Sequence, residues 1–433
     1  MLIEFRASNY RSIGDEQILS MVPSMNQKEY PENILTQGKY NSLIALSIYG
    51  ANGSGKSNLV NAFVAMVYMV TFSHRLPSNS PLPYDPFLLR EGFPEKGTTF
   101  EVTFLIDEIR YRYGFTYDKS DIRKEWLMRK SVGREVNLFS REGDTIDVTA
   151  GLKGNSKNIS AAIDATKENG LFLSALDTLN IEEAKEIIRW FGNIKAISGL
   201  HPELYKMQTV SMLQNPLEAD VIKDYLGSLC LNVSDVGLRK RDNGSGSMNF
   251  LNFSDFIVTA SHQFYDAEKK PTGDKVVWDW ETHESSGSTK AMNLSGAMVS
   301  SLRSGGVIVI DEIEAFMHPI MTLKTIELFL DKETNQKNAQ IIFATHDTNL
   351  LTSAKLRRDQ IYFAEKNEWE STEIYSLSDF KYITDRDGVE LSERERPDAD
   401  KEGRYIEGRY GAIPLLGNMN ENVRRILWPK EEK

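Results

Sequence analysis

The sequence predicts an α/β fold: a loop-and-strand core built from two separated halves, with an antiparallel β subdomain and an inserted, mainly helical subdomain. Three observations carry this expectation. Residues 43–50, LIALSIYG, read as a buried strand running into the glycine-rich GANGSGKS, and residues 58–69, NLVNAFVAMVYM, follow as a helix. The runs VIVIDE at 307–312 and QIIFATHD at 340–347 repeat the theme of a short apolar strand closed by polar residues. Between the halves, TTFEVTFLIDEIRYRYGFTYD at 98–118 alternates apolar and polar residues over two arms, which predicts an antiparallel hairpin.

Taken in order, residues 2–6 and 16–22 read as strands, and the looser SNSPLPYDP at 78–86 separates the first helix from the hairpin. From 119 to 275 helix-like stretches at 181–190, 202–213 and 216–226 alternate with polar breaks, and without sustained heptads they predict a compact insertion rather than a coiled-coil arm. Strands at 307–310, 340–344 and 360–364, with a helix after Pro319, complete the second half, and a charged tail follows. The expected division is therefore 1–118, the first half of the core; 119–275, the insertion; 276–370, the second half; and 371–433, a tail subdomain.

A chain of 433 residues with 40% hydrophobic and 26% charged residues has ample material for several domains around a large core. MLIEFRASNY lacks the layout of a signal peptide, and no apolar run approaches the ~18 residues of a membrane span, so a cytoplasmic protein with no membrane partner is expected. The single cysteine, Cys230 in SLCLNV, has no partner for a disulfide or a thiolate metal site and reads as a core residue. A formal charge of −11 argues against a long contact with nucleic acid. Arg239, Lys240 and Arg241 beside NGSGS leave open either a local basic groove or a solvated loop.

GANGSGKS, residues 50–57, satisfies G-x-x-x-x-G-K-[ST] between a predicted strand and a predicted helix. Gly50, Gly53 and Gly55 let successive N–H groups turn inward toward phosphate oxygens, with Asn52, Ser54 and Asn58 in the same cradle. The helix that follows adds its positive end. Lys56 is expected to reach the β- and γ-phosphates of ATP, and the Ser57 hydroxyl to ligate Mg²⁺.

VIVIDE supplies a hydrophobic strand ending in Asp311, expected to hold the metal, and Glu312, expected to act as general base toward the attacking water. His346, at the end of the next strand, is expected beside the same phosphate.

These residues together resemble the ABC-type ATPases of the RecF and SMC branch. The opening FRASNYRSIGDE resembles their N-terminal strand motif, with Asn9, Tyr10, Arg11 and Ser12 in its places; GANGSGKS, VIVIDE and ATHD resemble Walker A, Walker B and the switch histidine. ESSGSTK at 284–290 resembles the degenerate signature of this branch, with Ser286 and Gly287 at its serine and glycine and Ser288 beside them. More narrowly, the N-terminus, DE-x-x-x-x-x-HP and YIEGRYGAIP at 405–414 resemble the AAA-type ATPases of bacterial abortive-infection and restriction-linked operons, of the RloA and AbiL type, with AriA and PtuA related by architecture.

The resemblance implies an ABC-type P-loop head in which the signature starts a helix that grips the nucleotide of a second subunit. A homodimer or higher homo-oligomer, ATP and Mg²⁺, and a separately encoded nuclease or toxin-like effector are what follow from it, with a RecF-like DNA-binding ATPase as the alternative. DPFLL at 85–89 occupies the approximate place of the Q-loop, and EAFMHP at 314–319 departs from the usual aspartate-bearing D-loop. His318 is open to a dimer role or to a plain role in starting a helix before Pro319. Around Asp385-Arg386-Asp387 no Toprim nuclease layout is present.

Overall fold

Five parallel strands and one antiparallel edge strand form the central sheet, in the order Ile194–Ser198, Val307–Asp311, Gln340–Ala344, Ala45–Tyr49, Ile361–Lys366, Thr372–Ser376. The computed structural model describes residues 1–229, 233–241, 256–386, 389–414, 423 and 427; Cys230 and Asp387 lie outside them. Because its parallel strands are covered on both faces, they read as continuous apolar runs. Alternate side chains nevertheless sort to opposite sides. Val307, Val309 and Ile342 pack toward the helix Lys56–Phe72, whereas Ile308, Ile310, Ile341 and Phe343 pack with Leu294, Met298, Ile326 and Phe329 of the helices Ser286–Ser304 and Pro319–Leu330.

The helix Lys56–Phe72 is sandwiched between this sheet and a second one. That sheet is antiparallel throughout, in the order Thr145–Val148, Val136–Glu142, Ile122–Lys130, Ile109–Tyr117, Thr98–Ile106, Leu2–Ser8, Gln17–Ser20. The predicted hairpin at 98–118 is its centre, with Phe100 paired to Phe115 and Phe104 to Tyr111.

Residues 119–148 depart from the expected helical insertion: they are three strands of the antiparallel sheet. Two buried charges hide their alternation. Glu125, only 1% exposed, accepts from the backbone N–H groups of Phe172 and Leu173 at 2.7 and 3.0 Å and from the Tyr113 hydroxyl at 2.9 Å. Arg141 is likewise buried, spending its guanidinium on the carbonyls of Gly143, Lys167, Glu168 and Gly170. A charged residue at an inward position makes an inward-facing strand look like a surface segment.

A second correction is the strand Ile194–Ser198, also inside the expected insertion, which pairs in parallel with Val307–Asp311 from Ile194↔Val307 to Ser198↔Asp311. The helices expected around 181–226 are present as Glu182–Gly192, Lys206–Gln214 and Pro216–Ser228. Beyond them Asp235–Lys240, Phe256–Tyr265 and Pro271–Asp279 form a three-stranded antiparallel lobe. The tail expected at 371 begins instead with the edge strand of the central sheet, Thr372–Ser376. Among the described residues no helix is long and apolar enough to cross a membrane.

Candidate active site

Parallel strands share one exit edge, so the sequences following Tyr49, Asp311 and Ala344 emerge side by side, the place where open α/β sheets build sites. The strand leading to His346 lies between the strands leading to the glycine loop and to Asp311. This order brings the glycine loop, the acids and the histidine to one place.

The glycine loop is clasped from behind. Asn58 Nδ2 donates to Ser12 Oγ at 2.7 Å, Ser12 Oγ lies 2.8 Å from Thr372 Oγ1, and Thr372 Oγ1 donates to the carbonyl of Ser54 at 2.9 Å. Each hydroxyl thus donates once and accepts once. Gly55 has φ +104°, and a Cβ there would lie 1.9 Å from Thr372 Oγ1, so glycine is required twice over. Asn52, Gly53 and Ser57 are exposed at the front of the loop, while Gly50 and Ser54 are buried and Ser54 Oγ has no partner. Asn58, expected in the cradle, donates to Ser12, and Arg11, a residue of the N-terminal motif expected at the nucleotide, pairs with Asp85 at 2.9 Å, on the segment expected as the Q-loop.

Lys56 begins the helix and folds back, its Nζ donating to the carbonyls of Gly50 at 2.7 Å and Ala51 at 3.1 Å. Burial lowers its pKa to about 8, against the opposing pull of Asp311, Glu314 and Glu312. The three acids therefore face the lysine.

Asp311 ends its strand with Oδ1 buried and unpartnered, an acceptor that a cation would satisfy. Glu312 follows with φ +49°, a conformation non-glycine residues seldom adopt, and the turn around it is held from two sides. From below, the backbone N–H of Gly199 donates to the Asp311 carbonyl at 2.7 Å. A Cβ on Gly199 would lie 2.1 Å from the carbonyl oxygen of Glu312. From the side, the buried Lys290 ammonium donates to the carbonyls of Glu312, Ile313 and Ala315 at 3.1, 2.9 and 2.8 Å, which uses all three of its protons.

Glu314 completes the arrangement, with one oxygen accepting from Thr345 Oγ1 and the other from the His346 N–H, each at 2.7 Å. The His346 pKa is lowered by burial and then by Lys56, so its imidazole is neutral at neutral pH and offers one donor and one acceptor.

Ser285 caps the helix Ser286–Ser304 by accepting from the Ser288 N–H, leaving Ser286 exposed at the first turn. Ser288 is buried and bonds Ser285 Oγ at 2.9 Å, so the two cap serines bond each other rather than any residue of the glycine loop. Gly287 stands where a Cβ would lie 2.7 Å from the Phe316 carbonyl. His318 caps the helix Pro319–Leu330, its ring accepting from the Ile320 N–H at 3.3 Å, which is the plain helix-starting role.

Residues 46–352 match the family model described as "AAA domain, putative AbiEii toxin, Type IV TA system". The chain belongs to this AAA domain family. Among solved structures, the SMC head domain from Thermotoga maritima aligns over 87% of this chain and 98% of its own, at 14% identity and a TM-score of 0.39. No curated protein matches the chain.

Within this AAA domain, sequence reasoning missed Gly199, Lys290, Glu314 and Thr345, and beyond its matched residues it missed Thr372. A third acid two residues after Glu312 and a lone lysine in the otherwise uncharged helical run 286–302 were visible signals for Glu314 and Lys290. Gly199 and Thr372 carry no local signal, since each acts through a contact distant in sequence.

Proposed function

We propose that this AAA domain binds and hydrolyses ATP with Mg²⁺, and that nucleotide-driven association of two or more copies controls a separately encoded nuclease or toxin-like effector in defence against phage. The observation that carries the chemistry is the convergence of Lys56, the orphaned Asp311 carboxylate, Glu312 and His346 at one sheet edge.

Lys56, freed from the Gly50 and Ala51 carbonyls, would hold the β- and γ-phosphates, while Asp311 and the exposed Ser57 hydroxyl would hold the cation. Mg²⁺, when bound, neutralises charge on the phosphates. Glu312 takes a proton from water as its oxygen bonds to the γ-phosphorus, the bond to the bridging oxygen breaks, and ADP and phosphate result. His346, neutral and fixed through its own N–H, hydrogen-bonds the γ-phosphate.

Ser286 and Gly287, at an exposed helix N-terminus, are suited to the nucleotide of a second copy. The family description, naming a putative AbiEii toxin and a Type IV TA system, supports the defence setting, as does the resemblance to abortive-infection ATPases. Phosphate release by the full chain and phage protection in cells test this reading. Lys56→Ala is expected to abolish nucleotide binding and Glu312→Gln to abolish turnover while preserving binding. Intact protection and effector control in both variants would overturn the proposal.

A further inference from the structure

Besides the apolar core that Ala291 and Met292 share with Val236, Val258 and Ala260, one buried carboxylate joins the start of the signature helix to the three-stranded lobe. Glu284, immediately before the Ser285 cap, has its side chain 8% exposed. Its Oε1 accepts from Trp278 Nε1 at 2.9 Å and lies 2.8 Å from His262 Nε2, which donates to it as the ring nitrogen bearing the proton. His262 sits in the strand Phe256–Tyr265 and Trp278 in Pro271–Asp279, so one oxygen gathers donors from two neighbouring strands.

The donors are themselves organised. The Trp278 indole stacks on the His262 ring with centroids 4.2 Å apart at 27°, and on the His283 ring at 5.6 Å. At the root of the lobe Asp279 pairs with Arg239 at 2.6 Å, and Glu281 pairs with Lys206 at 2.6 Å. Those two pairs are part-exposed and easily replaced by water. The Glu284 contact is enclosed, gathers two donors on one carboxylate oxygen and is correspondingly costly to break.

Only Ser285 separates this anchor from Ser286, so fixing Glu284 fixes where the helix starts and where its first N–H groups point. We propose that Glu284 is a positioning residue that sets the signature N-terminus from the lobe, so that a shift of the lobe changes how well the signature meets a second copy's nucleotide. Lys290 ties the same helix to the acid turn, so the helix start lies between an anchor in the lobe and an anchor at the chemistry.

This deepens the proposed function and rests on the signature acting in trans, which Ser286→Arg tests separately. In the full-length chain, Glu284→Ala and Trp278→Phe are expected to leave the ATP affinity of the single subunit within about twofold. Association driven by a non-hydrolysable ATP analogue should weaken by about tenfold, the loss expected when hydrogen bonds to a charged group are removed. Glu284→Gln, which keeps Oε1 as acceptor, should restore most of it.

Trp278→Phe keeps the ring packing and guards against a trivial folding failure of Glu284→Ala. If Ser286→Arg blocks association while both anchor variants associate like the parent, the inference fails and the trans reading stands. If Ser286→Arg associates normally, the trans reading fails. Equal losses of melting temperature, ATP binding and association in both anchor variants would reduce Glu284 to a structural role and overturn the proposal.

Discussion

Glu314 holds the loop that presents His346: its two oxygens accept from the Thr345 hydroxyl and the His346 N–H, each at 2.7 Å. The ends of two adjacent parallel strands are thereby locked together by a carboxylate that the Walker-B pattern does not specify. Glu314→Gln removes the charge and directs an amide donor at one of two donors. Single-turnover phosphate release is expected to fall by about tenfold or more while ATP affinity changes by less than about threefold. Equal effects on both constants would place Glu314 in ground-state binding instead.

Gly199 is the floor of the acid turn. A methyl group there would lie 2.1 Å from the Glu312 carbonyl and 2.5 Å from that of Asp311, and both contacts are backbone, which has little room to yield. Gly199→Ala should therefore displace the turn, costing about 2 kcal/mol or more of stability and most of the turnover. Denaturant melts and phosphate release measure the two effects. A variant with parental stability and activity would show that the turn shifts at no cost.

Lys290 donates to three carbonyls of the acid turn at once. Lys290→Met fills the space but leaves the Ile313 and Ala315 carbonyls unpaired and the Glu312 carbonyl with the Ala315 N–H alone, for a loss of roughly 2–4 kcal/mol. ATP turnover should fall with it, because the freed segment carries both Glu312 and Glu314. Lys290→Arg has donors but a planar fork that does not fit three convergent carbonyls, so an intermediate loss is expected. Chemical denaturation alongside turnover distinguishes these outcomes.

The α/β class and the strand ends that carry the glycine loop, Asp311, Glu312 and His346 were legible in the sequence, whereas the extent of the antiparallel sheet was not. Gly50 to Ser57, Asp311, Glu312 and His346 were readable because each lies at the end of an apolar strand whose local pattern is strong. Ile122–Lys130 was misread because Glu125 occupies an inward position, compensated by the N–H groups of Phe172 and Leu173 that local sequence does not reveal. Ile194–Ser198 is too short and too mixed to stand out between helices, and becomes a strand only because Val307–Asp311 offers it a free edge. Thr372 reads as an ordinary strand threonine, yet its hydroxyl supports the Ser54 carbonyl across 318 residues of chain.

Lys56 makes the site sensitive to alkaline pH. Burial holds its pKa at about 8 against an ordinary 10.5. Between these values the unfolded chain binds more protons than the folded one, so this group makes stability rise with pH across that window, and below it the cost of burying the charge is fully present. Phosphate binding has the opposite demand, since it needs the ammonium. ATP affinity should therefore decline as pH rises above about 8, and binding there should take up a proton as the phosphates restore the charge. Calorimetric titration in two buffers of different ionisation enthalpy reads that proton directly. Lys290, also lowered to about 8, shares the stability effect but makes its bonds to carbonyls of the acid turn, so proton uptake on ATP binding should persist in Lys290→Met. An affinity that stays flat across this window, with no proton taken up, would show that Lys56 does not gain its phosphate contact from the folded-back state.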